Sequence, residues 1–365
     1  MTLDCVTSRA PVEAISVVLP VRNGEQWLEE VLDAILADSN GRDAEIIVVE
    51  DGSRDRSAAI LERYANAGRI VVIEGPRRGA AAALNVGIER ATHPIVCQID
   101  QDVIIQRGWI ASLIGALKDP SIAAAQGYYI APPDASRWAR AMNLDLQLRY
   151  RRLLGRAVNH VCTGNTAYRS SALRKVGLFD ETLGYGYDND ISYRLSEAGY
   201  RLVICPEARS THRWRDGWRS YLVQQYGFGY GRLDLVAKHH RHFTGDDLSR
   251  LSMMLHPPLF GASLALLLIA LLLAAAGLST PLPAVVGAGT LAGLGLERLI
   301  AGLRAAWMFR DIAGVWFVPV HTMRDLAWTA ALIVWSVRRV RGIAAHPAQS
   351  MHPRPVIQHG TGQRH

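Results

Sequence analysis

Residues 259–279, LFGASLALLLIALLLAAAGLS, run without one charged side chain. A helix of that length reaches across a hydrocarbon layer of about 30 Å. It has no polar face, so it cannot lie on a water-exposed surface the way an amphipathic helix does. Residues 282–296 are apolar but shorter and predict a second span. Residues 312–336 are apolar but interrupted by His321, Arg324 and Asp325, so this segment either spans with its charges turned inward or lies in the interface. Arg298, Arg304 and Arg310 precede it, and Arg338, Arg339 and Arg341 follow it. Positive charge favours the cytosolic side. The expectation is a hairpin at 259–296, an interfacial or re-entrant third segment, and a location at the cytoplasmic membrane.

Upstream the pattern is one of alternation. Short β-branched runs at Ile15–Val21, Glu45–Val49, Ile70–Ile73 and Ile95–Ile99 predict strands. The stretches at 25–37, about 54–67 and 80–91 show helical spacing. Strands alternating with helices imply an α/β domain with a mostly parallel central sheet. Such sheets take ligands beyond the carboxyl ends of their strands, where strand order reverses. Three polar clusters fall at such ends: Pro20 to Asn23, Glu50 to Asp55, and Asp100 to Asp102. After about residue 120 the regularity fades. A strand-like run at Ala123–Ile130 precedes a basic helical stretch at 135–156. A Gly/Asn segment, a glycine-rich loop from Gly177 to Asp188, a helix with Asp190 and Arg194, and a strand-like Tyr200–Cys205 follow.

The net charge of +7 admits nucleic acid, anionic lipid or anionic substrate as partner. No zinc-finger spacing, basic-region heptad or aromatic RNA-binding motif is present, which argues against nucleic acid. Lipid headgroups and a phosphate-bearing substrate fit better. The four cysteines, Cys5, Cys97, Cys162 and Cys205, are scattered and form no CxxC. Neither a disulfide framework nor a zinc site is expected. The first residues contain no apolar core of signal-peptide length, so the first domain is expected on the cytosolic face.

Chemistry concentrates in four places. Asp100 and Asp102, in QIDQD, put two carboxylates at a strand end, hard oxygen ligands suited to Mg²⁺ or Mn²⁺. A metal there can bridge the phosphates of a nucleotide-sugar. In EIIVVEDGSRD, Asp51 can accept hydrogen bonds from a base or ribose, while Ser53 and Asp55 suit helix capping. Arg77-Arg78-Gly79, followed by small residues and then Asn85, offers guanidinium groups and a close-approach glycine to a diphosphate. In GYGYDNDISYRL, Asp188 can take a proton from an attacking hydroxyl, while Asp190 caps the helix or pairs with Arg194.

In this order, ISVVLPVRNGEQWL, EIIVVEDGSRD, RRGAAAALNVGIERA, QIDQD, TGNTAYRSSALRKVGLFDE and YDNDISYRL resemble glycosyltransferase family 2, over about residues 14–240. The resemblance implies a GT-A fold and an inverting, single-displacement transfer from a nucleotide-diphosphate sugar, with a UDP-sugar favoured. It implies donor contacts at Pro20, Val21, Asn23, Asp51, Gly79, Asn85 and Asp100. It implies metal at Asp102 with Asp100, and a diphosphate or metal contact at His212. It implies acceptor contacts at Thr163, Gly164, Asn165 and Tyr187, and Asp188 as the general base. The layout is similar to membrane-bound members that build exopolysaccharide units, such as the succinoglycan type, and implies a lipid-linked or membrane acceptor. The expected organisation is a tail at 1–13, a catalytic domain at 14–215, an amphipathic interfacial linker at 216–255, transmembrane or interfacial helices at 256–340, and a disordered tail at 341–365.

Some positions depart from the family pattern. Tyr187-Asp188 stands where Glu-Asp is usual, Arg22 where Tyr or Thr is common, and Glu50 where Asp is common. The Gln-x-x-Arg-Trp motif of processive synthases is absent; the nearest segment is Gln224-Gln225-Tyr226-Gly227, which favours adding one or a few sugars. Beside His212, packing under Trp214 and Trp218 is the competing role. The run Lys238 to His242 reads as a basic juxtamembrane stretch. Two rival readings remain: a nucleotidyltransferase using the same crevice, or a non-catalytic membrane-tethered nucleotide-sugar-binding protein.

Overall fold

The computed structural model describes residues 14–214, 217–278 and 280–343. The N-terminal tail, the C-terminal tail beyond Ile343 and the junction at 215–216 lie outside them.

The alternation is realised as expected in the first hundred residues. Strands β1 (Ile15–Val21), β2 (Ala44–Glu50), β3 (Val71–Glu74) and β4 (Ile95–Ile99) are parallel neighbours in the order β3-β2-β1-β4. Helices α1 (Leu28–Ser39), α2 (Ser57–Asn66) and α3 (Ala80–Arg90) connect them. The chain winds outward from β1 to β3 and then returns to the other side of β1. That reversal opens a crevice at the carboxyl ends of β1 and β4. At its closest packing, α3 lies on the sheet through Gly87, where a Cβ would come within 2.5 Å of the Val18 side chain.

Beyond β4 come β5 (Val103–Ile105), α4 (Trp109–Leu117), β6 (Ile122–Ile130), α5 (Arg137–Arg151), β7 (Asn165–Arg169), α6 (Ser170–Lys175), α7 (Tyr187–Glu197) and β8 (Arg201–His212). They extend the sheet as β4-β7-β6-β8-β5, eight strands among the described residues. Strand β7 runs antiparallel to both β4 and β6, and β5 antiparallel to β8. The sheet is therefore more mixed than alternation alone implies. The last strand also runs longer than the apolar run at 200–205, because β5 offers an edge on which 210–212 pair. That extension carries His212 to the site.

Four α-helices, α8 (Trp218–Lys238), α9 (Leu251–Ala275), α10 (Leu282–Phe309) and α11 (Phe317–Val340), follow, with short 3-10 turns at His240–His242 and Ile312–Trp316. Helices α9 and α10 are long and apolar enough to cross a membrane. They leave Leu268, Leu271, Leu272, Val285 and Ile300 exposed. They approach closely where Gly287 faces the Ser263 carbonyl. In α11, His321, Arg324 and Asp325 are buried, turned toward the protein. A second core fastens these helices to the α/β domain. In it Met142 and Leu144 of α5 meet Tyr221 of α8, Ala305 of α10 and Phe317 and Val320 of α11. Each such large side chain contributes about 1.5–3 kcal/mol by burial. Arg140 adds a two-pronged ion pair to Asp311 at 2.9 and 2.6 Å.

Candidate active site

Hydrogen bonds weld the three strand-end loops together. The Asp51 N–H donates to the Val21 carbonyl at 2.8 Å, the Asn23 N–H to Ser53 Oγ at 3.0 Å, and the Arg54 N–H to Asn23 Oδ1 at 2.7 Å. Gln101, between the two aspartates, clamps Arg22 from both sides. It accepts from the Arg22 N–H at 2.8 Å and donates to the Arg22 carbonyl at 3.0 Å. The loop carrying Pro20, Val21 and Asn23 is thus locked to the loop carrying Asp100 and Asp102.

Asp51 is buried, and its Oδ1 accepts from the Arg77 N–H at 2.5 Å. Burial raises its pKa above the ordinary carboxylate value. Glu50 instead accepts from the N–H groups of Gly52 and Ser53, so the residue in the usual Asp position shapes the turn. Arg78 pairs with Glu181 at 3.0 Å, and both line the cavity beside Gly79.

Asp100 leaves β4 with its Oδ1 accepting from Gln98 Nε2 at 2.8 Å. Burial, and then the adjacent Asp102 carboxylate, push its pKa up to about 6. Gly164 lies directly behind it at φ +84°; a Cβ there would sit 2.2 Å from Asp100 Oδ2. Only glycine fits both the left-handed backbone and the gap. Asp102 meets β8 from the other side. Its Oδ1 is 3.6 Å from His212 Nε2, while its carbonyl accepts from the Arg213 N–H at 2.9 Å. His212 also packs edge-on to Trp214 at 4.2 Å. Its Nδ1 is buried with no hydrogen-bond partner among the described residues. Two oxygen ligands and an imidazole in one cleft fit a divalent cation.

Asp188 stands in the first turn of α7, after Gly186 at φ +80°. Asp100, Asp102, His212, Thr163, Tyr187 and Asp188 all line one cavity of about 460 Å³. Two acceptor-side residues have other employment. Asn165 is fully buried and accepts from Trp109 Nε1 at 2.5 Å, bracing α4. Gly164 serves as the backing of Asp100. On the donor side, Asn85 spends its amide on the loop before α7: it donates to the Phe179 carbonyl at 2.9 Å and to Glu181 at 3.1 Å, and accepts from the Phe179 N–H at 2.9 Å. Asn85 and Asn165 shape the site from behind.

Asp190 pairs with Arg194 at 2.8 and 2.6 Å, as its spacing implied. It also receives Lys238 at 2.6 Å and His239 at 2.8 Å, while His242 stacks on Tyr193 at 3.7 Å. The buried Asp190 carboxylate thus draws Lys238 and His239 onto α7, while His240 and Arg241 stay exposed.

Sequence reasoning missed His160 and Asp246. His160 is buried between Asp188 and Asp246, and the sequence signals neither contact, since the three lie in separate segments. His160 and Asp188 also cluster with Cys162. Burial pushes that thiol up to about 12, which makes it a poor ligand beside the oxygen-rich pair at 100 and 102.

Residues 16–177 match the model of the family Glycosyl transferase family 2. Over that stretch the chain resembles glycosyltransferase family 2. Over 235 residues, 62% of this chain, it is 34% identical to a pre-mycofactocin glycosyltransferase of Mycobacterium tuberculosis, covering 48% of that protein. Over 236 residues, 59% of this chain, it is 25% identical to a poly-beta-1,6-N-acetyl-D-glucosamine synthase of Staphylococcus aureus, covering 57% of it. The chain thus spans about half the length of these curated relatives. Among solved structures it is similar to the mannosyltransferase PcManGT from Pyrobaculum calidifontis in complex with GDP-Man and Mn²⁺. The two share 21% identity at a TM-score of 0.58, over 90% of this chain and 88% of that one. That likeness shows the GT-A fold.

Proposed function

We propose that this protein is an inverting glycosyltransferase that moves a sugar from a nucleoside-diphosphate donor to a hydroxyl of a membrane-held, lipid-linked acceptor. One observation carries the reading: Asp100, Asp102, His212 and Asp188, from three separate segments, open onto a single cavity. The nucleoside lies along the welded loops, with Asp51 and Asn23 at its polar edges, and the diphosphate lies toward Arg78 and Gly79. A divalent metal held by Asp102, Asp100 and His212 would neutralise charge on the leaving diphosphate; the solved mannosyltransferase complex with Mn²⁺ supports this.

The remaining steps belong to the side chains. Asp188 takes the proton of the acceptor hydroxyl as its oxygen attacks the anomeric carbon. The bond from that carbon to the diphosphate oxygen breaks on the opposite face, so the sugar inverts. Tyr187 and Thr163 border the acceptor entrance. The apolar helices α9 and α10 support a membrane location, with the arginine-rich segments, and so the domain, on the cytosolic face.

The test is sugar transfer in membranes containing wild type or Asp188→Asn. Wild-type transfer with retained donor binding but at least about 10³-fold slower turnover in the variant is expected. Equal turnover would remove Asp188 as the base.

A further inference from the structure

The cavity does not end at the carboxylates. Its far wall is built by α5, α8 and α11, and there it holds a cation that the protein only half satisfies. Arg324 is 5% exposed, yet its nearest carboxylate oxygens are Asp145 Oδ2 at 3.6 Å and Asp325 Oδ1 at 4.0 Å. Both exceed hydrogen-bond length. Asp145 is already engaged by Arg149 at 2.7 Å and faces His321 at 3.5 Å. Arg324 Nη2 and His321 Nδ1 are buried without a hydrogen-bond partner among the described residues, and both residues line the cavity. A desolvated guanidinium is costly unless an anion meets it with hydrogen bonds.

The neighbours of this cation specify what kind of anion. Met253, near the start of α9, and Val320, Phe228 and Trp328 share the wall with it. Helix α9 leads from there into a surface of exposed leucines suited only to lipid. One ligand satisfies all three zones: an apolar chain beside α9, a phosphate at Arg324, and a hydroxyl-bearing head at Asp188. We propose that Arg324, with His321 and Arg149, forms a subsite for the phosphate joining the acceptor's head to its lipid chain. This rests on the transferase reading for the order of groups, and on the side chains of α11 and α5 for the anion.

The test uses the full chain in dodecyl maltoside micelles, with thermal unfolding as the readout. Dodecyl phosphate is titrated against wild type, Arg324→Gln, Arg324→Lys and Arg304→Gln. Arg304 is an exposed arginine on α10 and controls for nonspecific surface charge. Dodecyl phosphate is expected to stabilise wild type and Arg304→Gln alike, with affinity about tenfold weaker in Arg324→Gln. If Arg324→Gln does not fold, Arg324→Lys carries the comparison, with affinity between the two. Equal affinity in wild type and the Arg324 variants, or equal loss in Arg304→Gln, overturns the subsite. Stabilisation by inorganic phosphate at the same concentrations as dodecyl phosphate overturns the lipid assignment. Release of nucleoside diphosphate from donor by wild type, with water as acceptor, is measured separately. Its absence would remove the transferase reading while the dodecyl phosphate affinities still decide the subsite.

Discussion

His160 Nε2 lies 3.5 Å from Asp188 Oδ2, and its Nδ1 lies 3.7 Å from Asp246 Oδ1. Asp246 is an anchor. It accepts from Asn189, the Tyr193 hydroxyl and Arg232, each at 2.9 Å, and from the N–H groups of Leu248 and Ser249. The proposed base is thus steadied through an imidazole by a carboxylate in the segment that leads into α9. His160→Gln keeps a side-chain donor near Asp188 but loses the charge. Turnover is expected to fall about tenfold, with the donor KM little changed, because a displaced base slows the reaction more than it weakens binding. Steady-state kinetics separate the two terms, and a raised donor KM at unchanged turnover would contradict the positioning role.

The same histidine sets an alkaline limit on stability. Burial opposes its charge, but Asp246 and then Asp188 outweigh burial and raise its pKa from 6.5 to about 9. A raised folded pKa gives stability that is complete below 6.5 and lost as pH rises through about 9. At the acid end Asp246 contributes with the opposite sign: despite its burial, His160 and Arg232 hold it well below 3.8, so its share is lost only as pH falls beneath that value. Thermal unfolding from pH 6 to 9.5 should show the wild type losing more stability than His160→Gln. Parallel curves would rule out the ion triad as a source of stability.

Much of this was legible in the chain. The parallel half of the sheet follows from β-branched runs, and Asp51, Asp100 and Asp102 from their places at strand ends. The Asp190–Arg194 pair follows from helical spacing. What stayed hidden depends on distant segments meeting. Nothing around His160 marks it as the neighbour of two carboxylates. Nothing in the run Lys238 to His242 signals that Lys238 and His239 reach the buried Asp190. Asn85 carries the polarity of a ligand contact, but its partner is a backbone loop 94 residues away. Sequence shows which side chains can do chemistry, whereas packing decides which of them face the cavity.

Gly164 and Gly155 both hold left-handed backbones, at φ +84° and +75°. Around Gly155 a Cβ would meet nothing within 4 Å, whereas at Gly164 it would strike Asp100. Gly155→Ala should cost about 1 kcal/mol of backbone strain and leave activity near wild type. Gly164→Ala pays the same strain and also displaces a metal-site carboxylate, so activity should fall at least about 10²-fold. Paired unfolding and transfer measurements check this; similar activities in the two variants would detach Asp100 from function.

Chelation offers a test of the acidic pair that avoids mutation. With Asp100 and Asp102 close enough for each to disfavour the other's charge, a divalent cation would stabilise the folded chain as well as serve transfer. Transfer should stop in excess EDTA and return on adding Mn²⁺ or Mg²⁺, and the melting temperature should rise with metal in wild type but not in Asp102→Asn. Transfer that persists in EDTA would leave the carboxylates without a metal role.

Asn85 separates a donor contact from a brace. Its amide makes three bonds to the loop at 179–181, which leads into the segment carrying Tyr187 and Asp188. Asn85→Ala leaves the Phe179 N–H and carbonyl without that partner, at a cost of about 2–4 kcal/mol. If the side chain acts only through the loop, the variant should melt earlier and turn over more slowly, because Asp188 is less well held. Nucleoside diphosphate should still bind with near wild-type affinity, since the welded loops at Asn23 and Asp51 are untouched. Calorimetric titration with nucleoside diphosphate decides: a loss of affinity of tenfold or more, with stability unchanged, would return Asn85 to the donor's surface.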